Sequence, residues 1–462
     1  MSPARLGPEI EARNPVVKYT TKNDPRDAPE QRRRGRGPTG LRLPRHRATT
    51  AHTSAIYPFH AEAGLGPRGV YLGTDVLTGG GAFCFDPFAA YSDGLITSPN
   101  MLVLGEVGSG KSSSVKTFLY RSIGVLGSPG GMGRWCAIID PKGEYKPLAD
   151  ALGLEVIRLH PGGAVRLNPF DAGPGNVTAG EVTQRRGAMA AAICAAVLGR
   201  ALTPIEDAAL GWAIGAMADT AHPTLADLAD LIASPTGEMV ERAHRPADEL
   251  ARDIEAVAFA LGKLLERDLR GMFDGRSTVN VDWSGRGIVL DLSAVYHDAE
   301  ALRLVMIAAA GWLQAYLATP MGTTVPRRVQ VIEEAWAVLG DPMTARYLQG
   351  CYKLSRSFGV ANLAVAHRIG DLRAQADDGT AVAKIAMALL ADTQTRVLFR
   401  QAPDQTAEAK TLLGLTDAEA SVLSVLPRGR SLWKVAGRTA VVQHVIGPAE
   451  RHFCDTDTNL AI

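Results

Sequence analysis

One string constrains this chain more than any other: Gly105-Glu106-Val107-Gly108-Ser109-Gly110-Lys111-Ser112. It follows four apolar residues, Met101 to Leu104, and opens a helical pattern near Ser112, so it reads as strand, glycine-rich loop and helix. Glycines let backbone N–H groups turn inward around a phosphate, where a Cβ would block the approach. Lys111 is placed to neutralise β- and γ-phosphate oxygens and Ser112 to set its hydroxyl on Mg²⁺, with the helix N-terminus adding partial positive charge. The expected nucleotide-binding residues are therefore Gly105, Gly108, Ser109, Gly110, Lys111, Ser112 and Ser113, and the expected cofactors are ATP and Mg²⁺.

Such a loop needs a sheet behind it. Short apolar runs read as strands at 101–104, 135–139, 154–159, 287–292, 329–332, 361–366 and 395–399, with helical segments between most of them. That alternation predicts an α/β fold with a mostly parallel sheet covered on both faces. Two earlier runs, 69–73 and 82–85, flank Thr78-Gly79-Gly80-Gly81 and read as a small N-terminal β-hairpin element. Residues 178–272 show helical spacing without a convincing strand and read as an all-helical insertion. The expected division is an arm at 1–60, a core at 65–175 and 285–450, the insertion at 178–272, and a tail at 451–462.

A phosphate loop also needs carboxylates at the end of a partner strand, one toward the metal and one to orient the attacking water. The run Val329-Gln330-Val331-Ile332-Glu333-Glu334 supplies both, with Glu333 on the metal side and Glu334 as the catalytic base. Aspartate is usual at the first position, and the longer glutamate still reaches a water-bridged Mg²⁺. Asp140 and Glu144, in Asp140-Pro141-Lys142-Gly143-Glu144-Tyr145, fall at the carboxyl edge of the sheet, where open α/β sheets bind ligands. They read either as part of the metal and water shell or as an ordinary turn. Arg356, before the sixth core strand, and His367, at its end, read as catalytic: a guanidinium reaching a neighbouring subunit's γ-phosphate, and a group sensing that phosphate. Surface salt bridging is the alternative for both.

Composition narrows the setting. The formal net charge is +1, yet residues 1–50 hold 12 Lys and Arg against five Asp and Glu, with seven prolines. This predicts a disordered basic arm, either a tether to nucleic acid or anionic lipid or a plain solubilising terminus. Five cysteines lie far apart with no Cys-x-x-Cys pair, which excludes a disulfide framework and a cysteine zinc site and suits a reducing cytoplasm. No signal peptide is legible. The apolar run Leu304 to Leu317 is shorter than the roughly 20 residues a bilayer demands and is expected to be a buried helix.

Taken together, GEVGSGKS, IIDPKGEYKPLADALGLEVIRL, LNPFD (167–171), GIVLDLS, VIEEAW, KLSRSFG and LGLTDAEASVLSVLPRGRSLWKVAGRTAVV resemble the HerA/FtsK superfamily of ring ATPases. Within it they resemble the TraC-like, VirB-type ATPases of conjugative type IV secretion, in order over roughly residues 65 to 455. The resemblance implies a RecA-like P-loop core with a helical insertion. It implies a homo-hexamer at the inner face of the plasma membrane, cytoplasmic and peripheral, working with secretion or conjugation membrane components. It implies ATP hydrolysis that drives transfer of DNA or protein, or pilus assembly. Carried over by position, Lys111 and Ser112 bind nucleotide and magnesium, Glu333 and Glu334 form the acidic pair, Arg356 acts in trans, and His367 stands where the family usually has glutamine. Larger members carry a substantial domain ahead of the motor, where this chain has only about 65 residues before the hairpin. Two rivals remain at this stage: a DNA translocase without a secretion apparatus, in direct contact with DNA, and a nucleotide-binding scaffold with little turnover.

Overall fold

The computed structural model describes residues 64–126, 133–173, 177–319, 326–335, 342–367 and 392–454; the basic arm expected at 1–60 lies outside them. Eleven strands form one sheet: β1 (Val70–Asp75), β2 (Gly81–Phe85), β3 (Met101–Leu104), β4 (Arg134–Asp140), β5 (Glu155–Arg158), β6 (Gly287–Asp291), β7 (Arg327–Ile332), β8 (Val360–Ala366), β9 (Thr395–Leu398), β10 (Arg430–Val435) and β11 (Arg438–His444). Their order is β2-β1-β11-β10-β9-β3-β8-β7-β4-β6-β5. From β9 to β5 every pairing is parallel, and the other four strands extend the sheet antiparallel.

The central parallel strands β3, β6 and β8 are buried along their whole length because both faces are covered, whereas the edge strand β5 exposes Glu155 and Arg158. Met101 and Val103 of β3 face one core, with Cys136 and Ile138 of β4, under the helices Lys111–Leu126 and Lys146–Leu152. Leu102, Leu104, Trp135, Ala137 and Ile139 face the other. The run Leu304 to Leu317 lies in that second core, inside the helix Ala299–Leu317, with Trp312 fully buried. No helix among the described residues is long and apolar enough to cross a membrane.

Between β5 and β6 the described residues form helices from Ala179 to Asp268 and no strand. Three of these helices start at capping boxes: Thr178 with Glu181, Thr203 with Glu206, and Thr224 with Asp227. Each such cap contributes about 1 kcal/mol by satisfying N–H groups that the first turn leaves open. Leu225 and Ile254 share one continuous core with Trp135 and Leu104, so this region packs directly onto the sheet rather than closing a core of its own.

At the C-terminal end the core continues past residue 450. The short helix Arg451–Cys454 buries Phe453 against Tyr120, and Arg121 holds Glu450 at 2.6–2.7 Å. The hairpin β10–β11 was not foreseen as strands. Charged residues interrupt it at Arg430, Lys434 and Arg438, and its two-residue turn, Ala436-Gly437, puts an alanine at φ 51° where Asn-Gly or Asp-Gly is the usual signal.

His444, at the end of β11, braces the hairpin to the helix that follows the phosphate loop. Its Nδ1 lies 2.9 Å from Ser114 Oγ and its Nε2 2.7 Å from Ser431 Oγ, and its ring stacks on Phe399. Burial pushes its pKa down to about 3. An unfolded histidine takes its proton near pH 6.5, so between pH 6.5 and 3 the unfolded chain binds more protons and stability falls as pH falls. Urea unfolding is expected to lose up to ~1.4 kcal/mol more per pH unit in the wild type than in His444→Gln across that window. Parallel curves for the two proteins would remove this role.

Candidate active site

β3 delivers the glycine-rich loop to the carboxyl edge of the parallel sheet, and neighbouring strands deliver the other groups to the same edge. In register, Leu104 pairs with Ala366 of β8, Ile332 of β7 pairs with Ile139 of β4, and Asp140 pairs with Asp291 of β6. Gly105, His367, Glu333 and Asp140 therefore step off one side. Gly108 and Gly110 take φ of 75° and 107°, which side chains rarely adopt. A Cβ at Gly110 would lie 3.1 Å from Gly429 N, and one at Gly105 would strike Phe399 Cβ at 2.4 Å. The loop is pinned from outside: Glu106 N–H donates to Arg400 O (3.0 Å), Arg400 Nε to the Glu106 carboxylate (3.0 Å), and Gly429 N–H to Ser109 O (2.9 Å).

Lys111 is buried, and its ammonium donates to the carbonyls of Gly105 and Glu106, the latter at 2.8 Å. Burial lowers its pKa to about 8, against the opposing pull of Glu333 and Glu334. Those two carboxylates thus lie close enough to act on the lysine electrostatically. Ser112 is half-buried beside it. Ser113 turns its hydroxyl away, donating it to Cys454 O at 3.0 Å, so that side chain serves the C-terminal packing. A loop that only glycine can trace, a lysine folded into it and a helix opening at its end fit a bound triphosphate.

The two glutamates leave β7 in different states. Glu333 is half-buried; burial pushes its carboxyl up to about 7, and Tyr145 donates its phenol O–H to Oε1. Glu334 is buried, at φ 50°, a left-handed position unusual for a side-chain-bearing residue and of the kind found where function holds the backbone. Burial alone would raise its carboxyl, yet His367 and Lys142 outweigh that and bring it down to about 2. His367 Nε2 lies 2.9 Å from Glu334 Oε1, and Lys142 pairs with the same oxygen.

The three partners of the glutamates come from one loop and one strand end. Asp140 accepts from the N–H groups of Lys142 (3.2 Å), Gly143 (2.9 Å) and Tyr145 (2.8 Å), which folds the 140–145 segment and aims Lys142 at Glu334 and Tyr145 at Glu333. Of the two readings left open for Asp140, the turn is the one the structure displays: its carboxylate is spent on backbone donors. Glu144 is half-buried and its charge acts on Glu333 and Asp140. Lys142 and Tyr145 were not singled out from sequence. Their only signal was membership of the string Asp-Pro-Lys-Gly-Glu-Tyr, because what they touch is distant in the chain: Tyr145 and Glu333 are 188 residues apart, and Lys142 and His367 are 225 apart.

Arg356 is not with this group. It is exposed, near the end of the helix Pro342–Phe358, and donates to Thr97 O at 3.3 Å. That places it at the amino end of β8, a seven-residue strand whose far end carries His367, so about 20 Å separates them along the strand.

No protein-family model matches the sequence, and no curated protein matches it by sequence. Solved structures do match the fold. VirB4 of Thermoanaerobacter pseudethanolicus superposes with a TM-score of 0.64 at 21% identity, over 84% of this chain and 100% of that one. The chain has the VirB4 fold. The bacterial conjugative coupling protein TrwB superposes with a TM-score of 0.54 at 17% identity over 75% of this chain and 85% of that one. TrwB in complex with the non-hydrolysable ATP analogue ADPNP gives a TM-score of 0.55 at 18% identity with the same coverage. The architecture is therefore the α/β, RecA-like P-loop core that the resemblance implies.

Proposed function

We propose that this chain is a Mg²⁺-dependent ATPase that works as a ring-forming motor of conjugative DNA transfer or type IV secretion. The observation that carries the reading is Glu334, a buried carboxylate held by both Lys142 and His367 just past the end of β7, on the same sheet edge as the lysine of the phosphate loop, in a fold shared with VirB4 over that protein's whole solved length. TrwB, of the same fold, has been crystallised with ADP and Mg²⁺. Here Lys111 would neutralise the phosphate oxygens, Ser112 and Glu333 would hold the metal, directly and through water, and Glu334 would orient the attacking water, with His367 fixing Glu334's direction. The metal's contribution when bound is to offset negative charge on the phosphates. Membrane components of a secretion apparatus are the proposed partners, at the inner face of the plasma membrane.

Arg356 enters this scheme only from a neighbouring subunit, since within one chain it lies at the opposite edge of the sheet. A finger acting in trans typically contributes ~10³- to 10⁵-fold in rate. Hydrolysis of ATP by the purified wild type above a protein-free control tests the ATPase reading. Mixing then tests the ring. Lys111→Met and Arg356→Ala are each expected to be inactive alone, and an equal mixture is expected to recover up to roughly a quarter of wild-type rate, because one interface type in a randomly mixed ring is intact on both sides. No recovery on mixing, with both variants folded and oligomeric, would rule out the trans role.

A further inference from the structure

Glu333 poses a geometric problem. It carries one methylene more than the aspartate usual at a metal-side position, and each added sp³ torsion offers about three staggered wells of which only some face the metal. The structure contains a device that removes this freedom. Tyr145 donates its O–H to Glu333 Oε1, and Oε2 is left without a protein partner among the described residues. Tyr145 itself is held in place: it is 1% exposed, its N–H is bound to Asp140 Oδ2 at 2.8 Å, and the β4–β7 register sets Asp140 beside Glu333.

Beneath the ring lies a second unusual group. Lys116 is fully buried on the helix that follows the phosphate loop, and its Nζ has no hydrogen-bond partner among the described residues. It sits 5.2 Å from the centroid of the Tyr145 ring. A cation against the π face draws electron density from the phenol and makes its O–H a stronger donor to a carboxylate. A buried ammonium is costly, and burial lowers its pKa; the aromatic face and the nearby charges of Glu144, Asp140 and Glu333 offset that cost.

We propose that Tyr145 is a positioning residue for the metal site: braced by Asp140 and by Lys116, its hydroxyl pins the extra rotor of Glu333 so that the free carboxylate oxygen faces the magnesium of bound ATP. The inference rests on the ATPase reading and adds to it a reason why glutamate serves at this position.

The test measures binding without turnover. A fluorescent, non-hydrolysable ATP analogue is titrated with Mg²⁺ for the wild type, Tyr145→Phe, Glu333→Asp and the double variant, and the thermal midpoint of each nucleotide-free protein is recorded. Tyr145→Phe keeps the ring over Lys116 and is expected to raise the Mg²⁺ needed for half-maximal tightening about three- to tenfold, while affinity for the analogue without Mg²⁺ stays unchanged. In the Glu333→Asp background, whose carboxylate is shorter by about 1.5 Å and does not reach the phenol, the same change is expected to matter less than about twofold. Equal shifts in both backgrounds would mean that Tyr145 acts through general packing, and no shift, or tighter Mg²⁺ binding, would equally overturn the proposal. Should Tyr145→Phe fail to fold, Lys116→Met, which leaves the hydroxyl in place, is expected to shift the Mg²⁺ requirement in the same direction and by less; an unchanged requirement would count against the proposal. A wild type that binds no analogue at any Mg²⁺ concentration would bring down the ATPase reading itself, a result distinct from these.

Discussion

Glu334→Gln is expected to abolish nearly all ATP hydrolysis while leaving nucleotide bound. The glutamine is isosteric and keeps a hydrogen-bond acceptor toward Lys142 and His367, so the backbone at φ 50° and the loop opposite have no reason to rearrange. What disappears is a carboxylate brought down to about 2, which is ionised throughout the physiological range and able to accept a proton or orient water. Loss of a group in that role costs ~10²- to 10⁴-fold in kcat, so the variant should bind ATP within a few-fold of wild type and turn it over at the edge of detection. Steady-state hydrolysis paired with equilibrium nucleotide binding separates the two effects. A kcat within threefold of wild type would assign the water to another residue.

Lys111→Met should produce two effects of opposite sign. Nucleotide affinity is expected to drop about 100-fold or more, since a charge-assisted contact to phosphate is lost at a buried position. The nucleotide-free fold, however, should be no less stable and is expected to melt at a higher temperature. The ammonium is buried against its own loop carbonyls, and burial takes its pKa from 10.5 to about 8, so below pH 8 holding the proton costs folding free energy that methionine avoids. Thermal unfolding with and without Mg²⁺-ATP reads both: the wild type should gain several degrees from nucleotide and the variant none. A lower melting temperature for the nucleotide-free variant would show that Lys111 is a structural support first.

Much of the fold was legible because it rests on local patterns. The central strands of the parallel block read as apolar runs bounded by turns, since a strand buried on both faces needs apolar side chains on both, and Trp135 to Ile139 shows the two sets alternating between cores. The phosphate loop is legible for a similar reason: glycine at Gly108 and Gly110 answers a backbone demand made within eight residues. The hairpin β10–β11 escaped because Lys434 bonds Glu419 and Trp433 packs on Phe83 and Phe85, partners that no local window contains.

The sequence by itself determined the site's ingredients: the loop that cradles phosphate, the two glutamates at a strand end, and the order of elements that puts a parallel sheet beneath them. Only the tertiary structure decided how those ingredients are held. It set Tyr145 on Glu333 and Lys142 with His367 on Glu334, turned Asp140 from a candidate ligand into the clasp of a turn, and sent Arg356 to the far edge of the sheet. The physical reason is that a carboxylate's charge state, direction and free oxygen depend on donors brought to it across strands, and strand neighbours are chosen by the sheet's register rather than by proximity in the chain.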